Sequence, residues 1–473
     1  MAEIFQKATP QTLADFQKKA EEMKKKVLAA ANPSPGDFTG KCYYFSSKGD
    51  DANDGLSPEK ALKNLAMVEK LPLERGDAVL FRRGELFRGM VNCRTPGITF
   101  SAWGEGEKPT LCGSLRNYAD PELWEKSHIP GVWLCKLSFH NVGIITLDHD
   151  PRTVGKYDAL LGVSMPHEPG MEPIPCHLKN DLEFCSDLDT DKLYFKSEEN
   201  PGSRFQRIEI GAQNHLLCFR GNEQEDLTVD NLHITVIGSH GISFLTNKRG
   251  RVKNCVIDYI GGSVIWRAFT KGPNPRYNVR FGNAVEVYGG CSDFKVWNNW
   301  IYQIYDTGIT HQYHWNMEYA CTQEDVEYFD NLIEYCYWSI EYYNTDTKYS
   351  ITRNIHVHDN FCRFGGTGWG CPPARFRTSP MYSFMGKADE TENYVTEKNI
   401  FQFTYGIIYK HSPEIAPEGS LIFRDNTYIQ YAGEQFALWD NKEIPFTEEA
   451  VSDFLKNTLK EESYSIFEAE KEE

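Results

Sequence analysis

The chain has 473 residues, 40% of them hydrophobic, with 50 Lys and Arg against 67 Asp and Glu. The apolar content excludes a mainly disordered chain, and the formal charge of −17 excludes general nucleic-acid binding, which needs clustered cations to meet phosphate. No stretch approaches the ~18–20 apolar residues of a membrane span, and the first 27 residues lack the ~7–15-residue apolar core of an export signal. The expectation is a cytoplasmic protein that binds neither nucleic acid nor membrane. Thirteen cysteines are scattered singly with no CxxC pair, which predicts buried reduced thiols and disfavours a thiolate zinc site. Leu13, Phe16, Ala20, Met23 and Val27 recur every three or four residues and predict a helix with one buried face over residues 10–30. Pro33, Pro35 and Gly36 end it; Cys42 to Phe45 reads as a strand, and Ser57-Pro58 opens a second short helix running to about Leu71. Short strands at Ala78 to Phe81 and Gly97 to Phe100 follow, separated by turns.

From about Leu227 onward the sequence repeats loosely, with an Asn near a strand start in each unit: Asn231, Asn254, Asn298, Asn331, Asn354, Asn399 and Asn426. The gaps are 23, 44, 33, 23, 45 and 27, which reads as a bare unit of about 23 residues with loops inserted in some copies. Stacking the units aligns Gly241 to Phe244, Ala284 to Val287, Gly308 to His311, Ser339 to Tyr342 and Gly406 to Tyr409. The second residue of each is Ile or Val and faces inward, so the third faces out. Short β-branched strands at such a period predict a β-solenoid, because no single coil can bury its apolar face alone.

On Tyr43 to Ser47 with Asn53 to Pro58, Gly282 to Glu286, and Tyr305 to Thr310, the sequence resembles the right-handed parallel β-helix superfamily. That superfamily includes pectate-lyase-like proteins and several glycoside hydrolase families, and the resemblance covers about residues 42–435. It implies an all-β fold and carbohydrate chemistry, although the same superfamily holds lyases, epimerases and non-catalytic binders. The Asn period lapses between about Asn117 and Arg207, where Trp133 to Lys136 and Asp191 to Phe195 read as hairpin strands of an inserted β subdomain. Val451, Phe454, Leu455, Thr458 and Leu459 predict a C-terminal helix before a solvated acidic end. The predicted organisation is a capping helix and linker over 1–41, first coils over 42–116, the insertion over 117–207, the main β-helix over 208–435 and a C-terminal cap over 436–473.

Parallel stacking places equivalent residues of adjacent coils ~4.8 Å apart, so Glu286, Thr310 and Glu341 form an outward column with the two carboxylates two steps apart. Asp306, just before the middle strand, leans into the same column. Glycosidic cleavage needs one protonated acid and one ionised carboxylate, separated by ~6.5–9.5 Å in inverting and ~5–5.5 Å in retaining enzymes, and these three acids leave both outcomes open. Asp306 and Glu341 are the leading catalytic pair, with Glu286 replacing or tuning one of them. His311, Gln312, Thr310, Trp338, Trp369, Lys410 and Arg375 are the candidate substrate-binding residues, with Tyr302, Tyr305, Tyr313, Trp315 and Arg377 in the surrounding loops and strands. His356-Val357-His358 puts two imidazoles on one strand face, which reads as hydrogen bonding rather than metal ligation. No metal or cofactor is expected. The alternative enzyme reading is a lyase or epimerase with Lys410 or a histidine as base, and calcium enters only under its lyase form, where it would bridge a uronate to this acidic protein. The expected partner is a carbohydrate, and the expected activity is hydrolysis of a short oligosaccharide or glycoside; a non-catalytic glycan binder is the third reading.

Overall fold

The computed structural model describes residues 5–165, 167, 171–220, 224–265, 279–312, 321–344, 350–371, 380–386, 390–412 and 419–471. The chain winds as a right-handed parallel β-helix whose coils feed three parallel ladders. One ladder runs through Val91–Cys93, Leu217–Phe219, Ile242–Lys248, the first half of Val285–Trp297, Thr307–Gln312, Trp338–Asn344, Pro380–Gly386, Ile407–His411 and Gln435–Trp439. A second continues from the far half of Val285–Trp297 into Cys321–Phe329, Ser350–His358, Glu390–Glu397 and Leu421–Arg424. The third is an 11-stranded sheet reaching from Leu86–Arg88 at one edge to Phe5–Lys7 at the other. Ile242, Val285, Ile309 and Ile340 stack inward with no exposure, as their spacing predicts.

Two parts of the predicted repeat need correcting. Gly406 to Tyr409 is out of register by two residues, because Tyr382 pairs with Ile340 on one side and Tyr409 on the other, while Ile407 lies opposite Pro380. The strand Pro380–Gly386, absent from the aligned set, is a further rung between them. The asparagines also belong to different stacks. The buried ladder is Asn299, Asn331, Asn360, Asn399 and Asn426, at sequence steps of 32, 29, 39 and 27. In each step the side-chain Oδ1 accepts from both the backbone N–H and the Nδ2 of the preceding rung, while each Nδ2 also donates to a strand carbonyl. Glu461 ends the ladder by accepting the same two bonds from Asn426. Asn254 and Asn298 occupy the preceding turn position at positive φ, where Asn tolerates the left-handed conformation, and Asn354 lies on a separate surface stack with Asp325 and Asn393.

Asn360→Ala removes one acceptor and one amide from this buried ladder, taking the side-chain acceptor from the Asn331 backbone N–H and one of its Nδ2 protons and the amide donor from the Tyr328 carbonyl. Each group left without its partner costs roughly 1–3 kcal/mol. The expected loss is about 3 kcal/mol in urea-induced unfolding, with an unchanged m-value.

The N-terminal helix, Pro10–Leu28, lies along the outer face of the 11-stranded sheet, with Phe16 against Phe361 and Phe467. Between the coils of Val91–Cys93 and Leu217–Phe219, which pair directly, the chain leaves to build two small, mainly antiparallel sheets. Val132–Cys135 pairs there with Lys192–Lys196 around a separate core containing Trp124, Phe184 and Phe195. At the other end, Val451, Phe454 and Leu455 close the solenoid core, but the acidic tail is not simply solvated: Tyr464–Ala469 extends the 11-stranded sheet. Among the described residues no helix is long and apolar enough to cross a membrane.

Candidate active site

The first ladder aligns Cys218, Ser243, Glu286, Thr310, Glu341, Ser383 and Lys410 rung by rung. Glu286 and Glu341 are thus two rungs apart, about 10 Å between backbones. Although they alternate with inward Ile and Val, neither is solvated: Glu286 is 5% and Glu341 3% exposed. Asp306 is half-buried at the entry to Thr307–Gln312. Its N–H donates to the Gly282 carbonyl and its own carbonyl accepts from Trp338, so two neighbouring coils fix its backbone. Gly282 sits at φ +140 against the Gly261 backbone, where a side chain has neither the room nor the conformation.

Burial and mutual repulsion set the protonation of the two glutamates. Burial pushes Glu341 up to about 8, with the charges of Asp306 and Glu286 adding to it against hydrogen bonds from Thr310 and Gln312. Glu286 is pushed up to about 7, again by burial first, with Asp306 raising it further and Ser243, Arg220 and Asn283 opposing. Three carboxyl groups that feel one another titrate together, and such a group retains a proton near neutral pH. Among the described residues the bonds to Glu341 converge on Oε2, from Thr310 Oγ1 at 2.8 Å, Gln312 Nε2 at 2.8 Å and Thr307 Oγ1 at 3.5 Å. Its Oε1 is left to carry the proton.

Around Glu286 the structure reveals a group that the sequence does not announce. Asn283 N–H donates to His240 Nδ1 at 3.0 Å, so the ring proton lies on Nε2, which faces Glu286 Oε2 at 3.0 Å. Ser243 Oγ donates to the same oxygen at 3.1 Å. His215 stacks on His240 with ring centroids 4.9 Å apart, and Arg220 donates to its Nε2 at 2.7 Å, leaving Nδ1–H for Ser239 Oγ. Burial lowers His240 well below the usual imidazole range and His215 to about 4, so both rings are neutral donors that orient rather than titrate. The signal for them is the strand alignment itself, since His240, Asn283 and Thr307 each stand two residues before an inward Ile or Val.

The predicted substrate binders divide. Thr310 and Gln312 lie beside Glu341. His311 does not belong to the column and is corrected here: one residue on from an outward Thr, it points into the solenoid, unexposed, stacked on Tyr342 at 5.2 Å and bonded to Tyr328 OH. Burial lowers it to about 3. Trp338 is half-buried, and its indole N–H meets no acceptor among the described residues. Trp369 is anchored, with its indole N–H on the Gln303 carbonyl at 2.7 Å and its ring 5.0 Å from Tyr305, the residue before Asp306. Tyr302 faces away from the column, unexposed beneath the N-terminal helix. Lys410 stands on the column two rungs beyond Glu341, half-buried, its pKa lowered by burial. Arg375, Arg377, Tyr313 and Trp315 lie outside the described residues.

No protein-family profile matches this sequence, and no curated protein matches it. Similar solved structures include one titled glycoside hydrolase, at 11% identity over 91% of this chain and 97% of that chain with a TM-score of 0.49. Another is the GH136 lacto-N-biosidase from Eubacterium ramulus, at 15% identity over 97% and 70% of the two chains with a TM-score of 0.38. The pectate lyase Pel9A is similar at 9% identity over 83% and 70%, with a TM-score of 0.42. The likeness is one of fold. The chain is a parallel β-helix with Glu286 and Glu341 on one ladder and Asp306 at the entry to the strand between them.

Proposed function

We propose that the protein is a carbohydrate-active enzyme and, within that class, a glycoside hydrolase acting on a short oligosaccharide or glycoside. The observation that carries this reading is the placement of Glu286 and Glu341 two rungs apart with Asp306 beside the rung between them, where burial first and the neighbouring carboxylates second push Glu341 up to about 8. Cleavage of a glycosidic bond requires an acid at the leaving oxygen and a carboxylate at the anomeric centre or on a water. Glu341 donates the proton from Oε1, held in place by three bonds to Oε2. Asp306 serves as the ionised partner, on a backbone clamped between coils. Glu286, locked by His240 and Ser243, keeps negative charge near both and holds the Glu341 pKa up.

The test is release of aglycone or reducing ends from a panel of aryl glycosides and short oligosaccharides. Wild type is expected to turn over at least one, while Asp306→Asn and Glu341→Gln lose turnover and keep binding. Full activity in either variant would move the chemistry elsewhere. Lys410 supports a second reading, since it is half-buried on the same column with no ion-pair partner among the described residues, and burial favours its neutral form. A lyase using it as base would release an ultraviolet-absorbing unsaturated sugar, which hydrolysis never forms, and Lys410→Arg would abolish that product.

A further inference from the structure

On the second ladder, away from the carboxylate column, four side chains from three successive coils meet on the outer face. Glu327 stands opposite His356, and Glu397 stands opposite His358, in register. The contacts run diagonally, with His358 Nε2 3.1 Å from Glu327 Oε1 and His356 Nε2 2.9 Å from Glu397 Oε1. The donor atoms of Glu327, His356 and His358 all lie within 4.8 Å of one another. The two imidazoles are packed with centroids 4.0 Å apart and planes tilted by 30°, and His358 is further fixed by stacking on Phe329, which stacks on Trp297.

His358 has a carboxylate at each ring nitrogen, Asp359 Oδ2 at 2.7 Å from Nδ1 and Glu327 at Nε2. A neutral ring has one N–H and can satisfy only one of them. An imidazolium satisfies both; with a single proton, on Nδ1 facing Asp359, the Nε2 lone pair points at Glu327, which leaves a place for a cation between the two atoms. This is the carboxylate-to-histidine support that orients imidazole ligands in metal sites. Tetrahedral coordination at ~2.0–2.1 Å sets ligand atoms about 3.3 Å apart, close to the diagonal separations here. Lys295 on Glu327 at 2.6 Å and Arg424 on Glu397 each bind one carboxylate from the side, so neither glutamate carries its full charge into the cluster. Two imidazoles and one or two carboxylates suit zinc and its neighbours in the first transition row, rather than calcium or magnesium.

We propose that Glu327, His356 and His358, with Glu397 as an additional ligand, form a binding site for a divalent transition metal of the zinc class. The ion staples consecutive coils of the second ladder. The site is independent of the proposed hydrolysis, and its ligands are 16–37% exposed in their side chains, except Glu397 at 10%, so an ion can enter from solvent.

The test uses the full chain stripped with EDTA, titrated calorimetrically with zinc and by visible spectroscopy with cobalt. The expected result is one equivalent of either ion, a thermal midpoint raised by zinc and returned by EDTA, and a cobalt spectrum without thiolate charge transfer, which separates this site from the thirteen cysteines. His356→Gln with His358→Gln is expected to weaken binding at least a hundredfold. Glu327→Gln, which keeps both imidazoles and the fold, is expected to weaken it about tenfold. Absence of stoichiometric binding to wild type, a thiolate spectrum, or binding unchanged in the variants would overturn the proposal.

Discussion

Glu341→Gln is expected to lower glycoside turnover by 10²–10⁴ and, at pH 8, to make the protein more stable than wild type. The first effect follows from removal of the proposed general acid, whose contribution is of that order. The second follows from the same burial that makes it an acid. Glu341 is raised from 4.5 to about 8 in the folded chain, so folding favours its protonated form. That contribution is complete below pH 4.5 and is lost as the pH rises toward 8, at about 1.4 kcal/mol per pH unit. Gln has no charge to bury, accepts the Thr310 and Gln312 bonds on its oxygen, and escapes the penalty. The stability gap between variant and wild type is expected to widen by a few kcal/mol between pH 5 and pH 8 in urea unfolding. Glu286 and Glu461, each pushed up to about 7 by burial, add a pH dependence of the same sign that ends near pH 7 in both proteins. A variant as inactive as predicted but no more stable at pH 8 than at pH 5, relative to wild type, would mean that Glu341 is ionised in the folded enzyme and is not the acid. In wild type the corresponding rate profile falls above about pH 8, where Glu341 loses its proton.

The column was legible in the sequence because one physical rule governed both halves of it. An inward β-branched residue fixes the face of its neighbour, so Ile309 and Ile340 aligned Thr310 with Glu341, and Val285 aligned Glu286 with both. Applied one residue further, the same rule places His311 inside, where the hydroxyls of Tyr328 and Tyr394 give its ring the polar contacts a core imidazole needs. The rung Pro380–Gly386 escaped because its inward positions are Tyr382 and Phe384, not Ile or Val, and the count of coils then slipped by one. The asparagines misled for a related reason. Each coil has a positive-φ turn position next to a buried ladder position, both favour Asn, and composition alone cannot separate Asn298 from Asn299. His240 and His215 carry no local motif. Their role comes from the coil before Glu286 reaching over it, which only a register that includes Ser239 to Ile242 exposes.

The N-terminal helix shows how the solenoid places charge where its sequence pattern promised only an apolar seam. Lys24 falls four residues after Ala20, on the buried stripe, and its side chain is only 10% exposed. Its ammonium lies 3.5 Å from Glu334 and about as far from the faces of Tyr157 and Trp300 as a cation–π contact allows, at 5.4 and 5.1 Å. Glu334, 1% exposed, also accepts from Tyr157 OH at 2.7 Å, Trp300 Nε1 at 3.0 Å and Arg363 at 3.2 Å, and Arg363 in turn reaches Gln17 of the helix at 2.7 Å. One carboxylate therefore ties the helix, the segment after the insertion's first sheet and the 11-stranded ladder together.

Glu334→Ala leaves Lys24 with only the more exposed Glu21 at 3.0 Å, Arg363 with neutral partners alone among the described residues, and the Tyr157 and Trp300 donors unpaired, and breaking such a network from one side costs about 3–5 kcal/mol. Lys24→Met removes a cation instead of orphaning one, keeps the stem's packing, and leaves Glu334 with Arg363, so its expected cost is about 1 kcal/mol. The double variant is expected to lose less than the sum of the two, because Met no longer needs the missing carboxylate. Urea unfolding of the three variants, with protease cleavage before residue 30 as a second readout, checks this. Additive losses would mean that Lys24 and Glu334 do not interact. A Glu334→Ala variant within 1 kcal/mol of wild type would mean that the helix docks through Phe16, Ala20 and Val27 alone, with the charges relaxing to water.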